Sequence, residues 1–112
     1  MALDYVDMIY RCSEDFPVSE RYNLKSQLER AATTIVLNIA EGSTGQTDAE
    51  QNRFLGLALR SYLETIACLD IIERQEYLPN TKLEEVKELG HQLFIEFQAF
   101  RKSLRQRSRN QI

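Results

Sequence analysis

Three short breaks in an otherwise helical hydrophobic pattern constrain this chain more than any other feature. They fall at residues 16–19, 42–46 and 75–80, and they contain both prolines and two of the four glycines. Proline and glycine are the strongest local breakers of a helix. The breaks separate four segments in which apolar residues recur three or four positions apart, the spacing of an amphipathic helix. The sequence therefore predicts an all-α fold, an up-down-up-down four-helix bundle.

The ends of these helices can be placed from local signals. Helix one is expected over about residues 2–15, and Gly42 is interpreted as the left-handed residue that ends helix two. Capping boxes at Thr47–Glu50 and Thr81–Glu84 predict the starts of helices three and four, because a threonine hydroxyl and a glutamate three residues later can satisfy free backbone donors. The seam residues expected in the core are Tyr5, Ile9, Cys12, Phe16, Leu55, Leu59, Tyr62, Ile66, Leu69, Leu83, Val86, Gly90, Leu93, Phe97, Phe100 and Leu104.

Length and composition favour one domain. A chain of 112 residues that is 43% hydrophobic can bury a core without staples, so residues 1–112 are expected to form a single domain. Cys12 and Cys68 lie in separate apolar patterns and are expected to be reduced core residues. The N-terminus lacks an early basic cluster, and no run of eighteen apolar residues occurs. These features predict a cytoplasmic protein without membrane association.

Helix two carries a polar stripe beside its apolar arc. At about 100° per residue, five polar side chains fall within roughly 80° of one another. They are Gln27, Arg30, Thr34, Asn38 and Glu41. The stripe is interpreted either as a solvated face or as a seam against another helix or subunit. Leu37, which lies opposite the apolar arc, favours the seam.

Two contacts are expected along that seam. Arg30 and Glu64 are predicted to interact across the hairpin of helices two and three, because they lie within about one helical turn of facing each other. The amide of Asn38, at the border of the apolar arc, is expected to be hydrogen-bonded within an interface. A polar residue at such a position fixes the alignment of helices at some cost in stability.

The sequence offers no recognisable catalytic apparatus. The glycine loop after helix two lacks the lysine of a nucleotide-binding loop, since Gln46 follows Gly45. The single histidine, His91, forms one Glu-x-x-His pair with Glu88, whereas a carboxylate-bridged di-iron site needs two. No serine or cysteine has a histidine partner at a recognisable spacing. We therefore expect a protein that is not an enzyme and needs no metal or cofactor.

Charge is distributed unevenly along the chain. The formal net charge is −3, but five basic residues and no acidic ones follow Phe100. They are Arg101, Lys102, Arg105, Arg107 and Arg109. Residues 1–100 hold the other nine basic residues and all 17 acidic ones, a net charge of −8. This basic C-terminal tail, from about residue 101, is interpreted either as a solvated helix end that complements the helix dipole or as a contact for phosphate or an acidic partner. No aromatic residue is interleaved with the arginines, so such a contact would be blind to sequence.

Much of the chain resembles a known family. The positions that carry the resemblance include Phe16-Pro17, Glu20, Tyr22, Leu24, residues 30–42, Phe54-Leu55, Ala58, Ser61 and Glu64. Residues 30–42 read RAATTIVLNIAEG, and the pattern RAAxxIxxNIAEG is specific. From about Ile9 to Leu104 the chain resembles the small bacterial four-helix-bundle proteins named after intervening sequences of 23S ribosomal RNA genes. The candidate structural or interface polar residues are Gln27, Arg30, Asn38, Glu41, Ser61 and Glu64.

The resemblance also implies a function. That family is similar in turn to the accessory protein of diversity-generating retroelements, which forms a pentameric barrel and binds nucleic acid. It implies a non-enzymatic homopentamer that contacts RNA or DNA, with a protein such as a reverse transcriptase as a further partner. Relatives that bind nucleic acid are basic, whereas this chain has a net charge of −3. Three alternatives stay open: a scaffold or accessory protein that binds RNA or DNA weakly, which is favoured; a protein-interaction module that binds neither; and, ranked last, an enzyme with an unrecognised site.

Overall fold

The computed structural model describes residues 1–44 and 47–110 and confirms the four-helix bundle. The helices are α1 (Ala2–Ser13), α2 (Leu24–Gly42), α3 (Asp48–Arg74) and α4 (Asn80–Asn110), with a short 3-10 turn at Val18–Glu20. Each helix packs on the next, and α1 also packs on α4, which closes the bundle. No helix in the described ranges combines the length and apolar content needed to cross a bilayer.

The predicted seam residues are buried, apart from Leu59 and Ile66, which are partly buried and pack against the core, and Phe100. Tyr5 and Ile9 are fully buried in α1, Leu69 in α3 and Val86 in α4. Phe100, expected in the seam of α4, is instead 42% exposed. It lines an open groove beside Met1 and Leu3 near the start of α1, so α1 does not cover it.

The end of α2 corrects the interpretation of Gly42. This residue is the last of the helix and is not left-handed; Ser43 follows with a φ of −89°. Glycine is needed here for space, because a Cβ would lie 2.9 Å from the Cβ of Phe54 in α3. A left-handed conformation occurs instead at Glu76, with a φ of 57°, after the end of α3.

One of the two predicted capping boxes is present, in part. The hydroxyl of Thr47 accepts a hydrogen bond from the backbone N–H of Glu50 at 3.1 Å, while the Glu50 carboxylate pairs with Arg53. The box at Thr81 is wrong, because Thr81 as N-cap would place the first helical residue at Lys82, whereas α4 begins two residues earlier, at Asn80. The carbonyl of Pro79 accepts the first bond of that helix, from the N–H of Leu83.

Buried polar contacts set the register of α1 against its neighbours. The hydroxyls of Tyr5 and Thr65 share a hydrogen bond of 2.8 Å inside the core. Ser13 is fully buried and donates to a carboxylate oxygen of Glu29 at 2.6 Å. Lys25 pairs with the same carboxylate at 3.2 Å. Because unsatisfied buried polar groups are costly, these bonds favour a single alignment of α1 on α2 and α3.

The two cysteines are core residues, as predicted. Cys12 and Cys68 are buried and form no disulfide. Burial is the main cause that raises the pKa of each thiol above its ordinary value. Because the thiolate is the reactive form, burial makes both side chains poor nucleophiles at neutral pH.

Candidate functional site

The basic C-terminal tail predicted from about residue 101 is helical and forms the last part of α4. The helix continues to Asn110. Leu104 is fully buried and belongs to the hydrophobic core. Burial of this side chain fastens the helix to the bundle. The five basic residues are therefore distributed around a packed helix.

Two of the five face α3. The Arg101 Nε donates to Asn52 Oδ1 at 3.0 Å. The Arg107 guanidinium makes a two-pronged contact with the Asp48 carboxylate, Nε to Oδ2 at 3.0 Å and Nη2 to Oδ1 at 2.6 Å. Such bidentate pairs are the strongest arginine–carboxylate contacts. The hydrogen bonds from Arg107 lower the pKa of Asp48 below its ordinary value, and Asp48 is the first residue of α3.

The other three basic residues point into solvent. Lys102, Arg105 and Arg109 are exposed, and their spacing of three and four residues places them on one face of the helix. Within residues 1–44 and 47–110, none of them forms a salt bridge. We call these three residues the basic face. The cluster of basic residues in the sequence does not by itself distinguish these three from Arg101 and Arg107, which bond to α3.

Sequence analysis missed the two residues that make this division. Asp48 lies 59 residues from Arg107, and Asn52 lies 49 residues from Arg101. Asp48 lies within the capping box predicted at Thr47–Glu50, and no local pattern connects either residue to α4. The only sequence signal is the antiparallel order of α3 and α4, which brings the start of one helix near the end of the other.

The predicted polar residues of α2 lie partly in a groove between α2 and α3. Gln27, Arg30 and Glu64 line this groove, which has a volume of about 470 Å³. The predicted contact between Arg30 and Glu64 is wrong, since the salt bridges of the described residues do not include one between them. Both side chains are exposed, so water solvates each charge and little is gained by pairing them.

The remaining candidates in this region have local partners. The Gln27 amide donates to Asn23 at 2.9 Å, and the Asn38 amide donates to the backbone carbonyl of Thr34 at 3.1 Å within α2. Glu41 is exposed and Ser61 is buried. Asn38 therefore bonds within its own helix in the single chain. Its expected hydrogen bond within an interface stays a prediction.

A second groove is apolar and lies where α1 begins. It has a volume of about 580 Å³. Its side chains include Met1, Leu3, Val36, Ile39, Phe97 and Phe100. Met1, Leu3 and Phe100 are 43%, 65% and 42% exposed along this groove, and a contiguous exposed apolar patch can mark a contact surface.

The candidate metal pair on α4 lies on the surface. His91 is exposed and stacks on Phe94, with ring centroids 6.5 Å apart. Glu88 is also exposed and accepts a long hydrogen bond of 3.4 Å from Gln92. In the described part of the chain, no three histidine, cysteine, aspartate or glutamate residues are grouped so that they could hold a metal ion.

Comparison with known proteins identifies one family. A family model described as 23S rRNA-intervening sequence protein matches residues 1–94. No curated protein matches the chain. The matched region contains the α2 polar stripe and most of the bundle, and it ends before Arg101. The basic face is therefore a feature of this chain outside the region that the family model matches.

Proposed function

Since the chain belongs to the family of 23S rRNA-intervening sequence proteins, we propose that it is a cytoplasmic, non-enzymatic, homo-oligomeric accessory or scaffold protein that binds RNA or DNA weakly and without sequence preference. The observation that carries this proposal is the basic face of α4. Its three cations are held on a packed helix and lie free of internal salt bridges in the described residues.

The geometry of the basic face suits a phosphate backbone. Lys102 and Arg109 are seven residues apart, which is about 10 Å along a helix, so the three cations can contact successive phosphates of one strand. The local positive field opposes the net charge of −3, as a clustered charge can on an acidic protein. Contacts with phosphate position a nucleic acid but carry no sequence information.

The proposed oligomer is a homopentamer assembled through the exposed side of α2 and α3. Leu37, Leu63 and Ile71 are 61%, 54% and 49% exposed on these helices. At about 100° per residue the polar stripe of α2 lies beside Leu37, and it supplies groups that can fix the alignment of subunits. Cyclic symmetry would place every copy of the basic face at the same level of the ring, so five weak sites would act together on one strand.

Titration of RNA and single-stranded DNA at several salt concentrations tests the binding. The triple variant Lys102→Gln, Arg105→Gln, Arg109→Gln should bind more weakly. Its salt dependence should be shallower by about two units of the logarithmic slope, because each phosphate contact contributes about 0.7 to 0.9.

A matched control keeps net charge constant and changes only its position. The variant Arg11→Gln, Arg21→Gln, Arg74→Gln also removes three positive charges, and all three of these arginines are exposed. It should bind nucleic acid like the unmodified protein. Equal losses in both triple variants, or no binding by the unmodified protein at low salt, would overturn the role of the basic face.

The mass of the protein in solution tests the assembly, and a monomer would overturn the pentamer.

The apolar groove favours a second candidate function, a protein-interaction module with a protein partner such as a reverse transcriptase. Exposed Leu3 and Phe100 could bury apolar surface of that partner. A purified reverse transcriptase should then bind the protein, and Phe100→Ser should weaken this binding more than Val18→Ser does, since Val18 is 85% exposed and lies outside the groove. An assembly that binds neither reverse transcriptase nor nucleic acid contradicts both candidate functions.

A further inference from the structure

The outward surface of α4 carries a second pattern, which runs from Thr81 to Arg109 in alternating steps of three and four residues. This is the spacing of a coiled-coil seam, yet the side chains are exposed. We call this surface the α4 stripe. Its charged members are Glu84, Glu88, Lys102, Arg105 and Arg109. His91 and Gln98 flank Ile95, which is 54% exposed and is the apolar member of the stripe.

The charges of the α4 stripe are separated by sign on either side of Ile95. The acidic members precede it and the basic members follow it. Glu88 and Lys102 are each seven residues from Ile95, or about 10 Å along the helix. A two-fold rotation about an axis at Ile95 therefore carries the acidic half of the stripe onto the basic half.

We propose that the α4 stripe is a self-association surface, on which α4 of a second copy of this chain packs antiparallel about a two-fold axis near Ile95. In that arrangement Glu88 lies beside Lys102 of the second copy, and Glu84 lies beside its Arg105. Each contact occurs twice, because a two-fold interface uses the same surface on both copies. The two Ile95 side chains meet at the centre and exclude water from each other.

Charge complementarity selects this occupant. A parallel copy would place like charges together, and a uniformly acidic or basic partner would complement only half of the stripe. The five charged members form no salt bridges within residues 1–44 and 47–110, so their charges are available to a second copy. Neighbouring Lys82, Lys87 and Arg107, in contrast, are paired with acidic residues of the same chain.

The contact is separate from the α2 polar stripe and goes beyond the proposed function. It joins two copies, or two rings, through a different helix. Because it uses the basic face, pairing and phosphate binding exclude each other at one site. Exposed ion pairs are individually weak and are screened by salt, so the self-association is expected to be weak and to disappear at high salt.

Charge reversal tests the pairing in the full chain without nucleic acid. Glu84→Lys, Glu88→Lys makes the whole stripe basic, and Lys102→Glu, Arg105→Glu makes its two central cations acidic. Sedimentation at low salt should show that each double variant raises the dissociation constant of the two-fold step at least about tenfold. An equimolar mixture of the two variants, or the four substitutions combined in one chain, should restore association.

The control variant Asp7→Lys, Glu14→Lys produces the same change in net charge at exposed positions of the chain outside the stripe. It should leave the two-fold step unchanged. If the control weakens association as much as Glu84→Lys, Glu88→Lys does, or if the mixture of reversed variants fails to associate, the proposed pairing is wrong.

An introduced cysteine tests the position of the axis. In Ile95→Cys the new thiols of two copies face each other, and oxidised glutathione should join them as a disulfide while it is itself reduced. Cys12 and Cys68 are buried, so they do not compete. Arg74→Cys, at an exposed position on α3, serves as the comparison. Equal cross-linking of the two variants would contradict an axis near Ile95. The same conclusion would follow if adding Glu84→Lys, Glu88→Lys to Ile95→Cys left its cross-linking unchanged.

Discussion

Helix α4 packs on both α1 and α3 near Gly90 and on the start of α3 near its own end; the two contacts are chemically different, and the one near Gly90 is the tighter. A Cβ at Gly90 would lie 2.8 Å from the ring of Tyr5 and 3.1 Å from the ring of Tyr62. Tyr5 is fully buried and shares a hydrogen bond with Thr65. We call this region the inner contact. Its neighbours are aromatic rings that are held from several sides.

The outer contact lies nearer the end of α4 and uses charged groups. Arg101 bonds to Asn52, and a Cβ at Gly56 would lie 3.3 Å from the Nη2 of the same arginine. Arg107 bonds to Asp48, which is partly exposed. Helix α4 thus packs on aromatic rings of α1 and α3 in the middle of the bundle and uses long polar side chains against α3 near its end. The difference predicts that equal substitutions have opposite effects in the two contacts.

Gly90→Ala should have the largest effect. The added methyl group forces the buried ring of Tyr5 to move, and overpacking of this kind exceeds the gain of about 1 kcal/mol in helix propensity. We expect the free energy of unfolding to fall by about 2 kcal/mol, measured by chemical denaturation. An unchanged or higher stability would show that the inner contact has room that the structure does not show.

Tyr5→Phe should have the next largest effect. It removes a buried hydrogen bond to Thr65, and we expect a loss of about 1 kcal/mol at neutral pH. The bond that Thr65 donates to the carbonyl of Tyr62 is kept, which limits the loss.

The effect of Tyr5 should also depend on pH. Burial raises the pKa of Tyr5 above its ordinary value of 10.0, so the folded protein keeps a proton that the unfolded chain releases at high pH. The contribution of the protonated Tyr5 side chain to the free energy of unfolding is complete below pH 10. It is lost as the pH rises through the pKa of Tyr5 in the folded protein. Denaturation at several pH values should show a steeper alkaline loss for the unmodified protein than for Tyr5→Phe. Parallel curves would contradict this assignment.

Gly56→Ala should have a smaller effect of the opposite sign. The neighbouring atom is the flexible end of Arg101, which can move by a few tenths of an ångström. Replacement of a helical glycine by alanine then raises the free energy of unfolding by about 0.5 to 1 kcal/mol. A clear loss of stability in the same denaturation assay would mean that the outer contact is as rigid as the inner one.

Asp48→Asn should change the free energy of unfolding least, and its main effect should be local, near the end of α4. It removes the ion pair with Arg107, so backbone amides near the end of α4 should exchange hydrogen faster while those around Gly90 do not change. Arg107 lowers the pKa of Asp48 below 3.8, so this protection is present above that pH and is lost as the pH falls through the lowered value. Asp70→Asn, at the pair with Lys87, provides the control. Uniform changes along α4 would contradict a local role.

The basic cluster illustrates how far sequence reasoning reached. Its five members are evident from the sequence, but the division into two anchored arginines and an exposed basic face depends on Asp48 and Asn52, which lie far away in the chain. The same limitation applies to Arg30 and Glu64. Their predicted positions on facing sides of the hairpin are confirmed to the extent that both line one groove, but the two charges do not pair. Whether two exposed charges pair depends on side-chain geometry and solvation, which helical spacing does not specify.

The sequence by itself determined the number of helices, their breaks and most of their buried faces, because helical periodicity and helix breakers act over a few residues. Only the tertiary structure decided which side of α4 faces α3. It also decided that Gly42 is required by the nearby Phe54 and that Phe100 remains exposed. These outcomes depend on distances between segments that are far apart in the chain. Such distances are set when all four apolar faces pack at once, because close packing allows few relative positions of the helices.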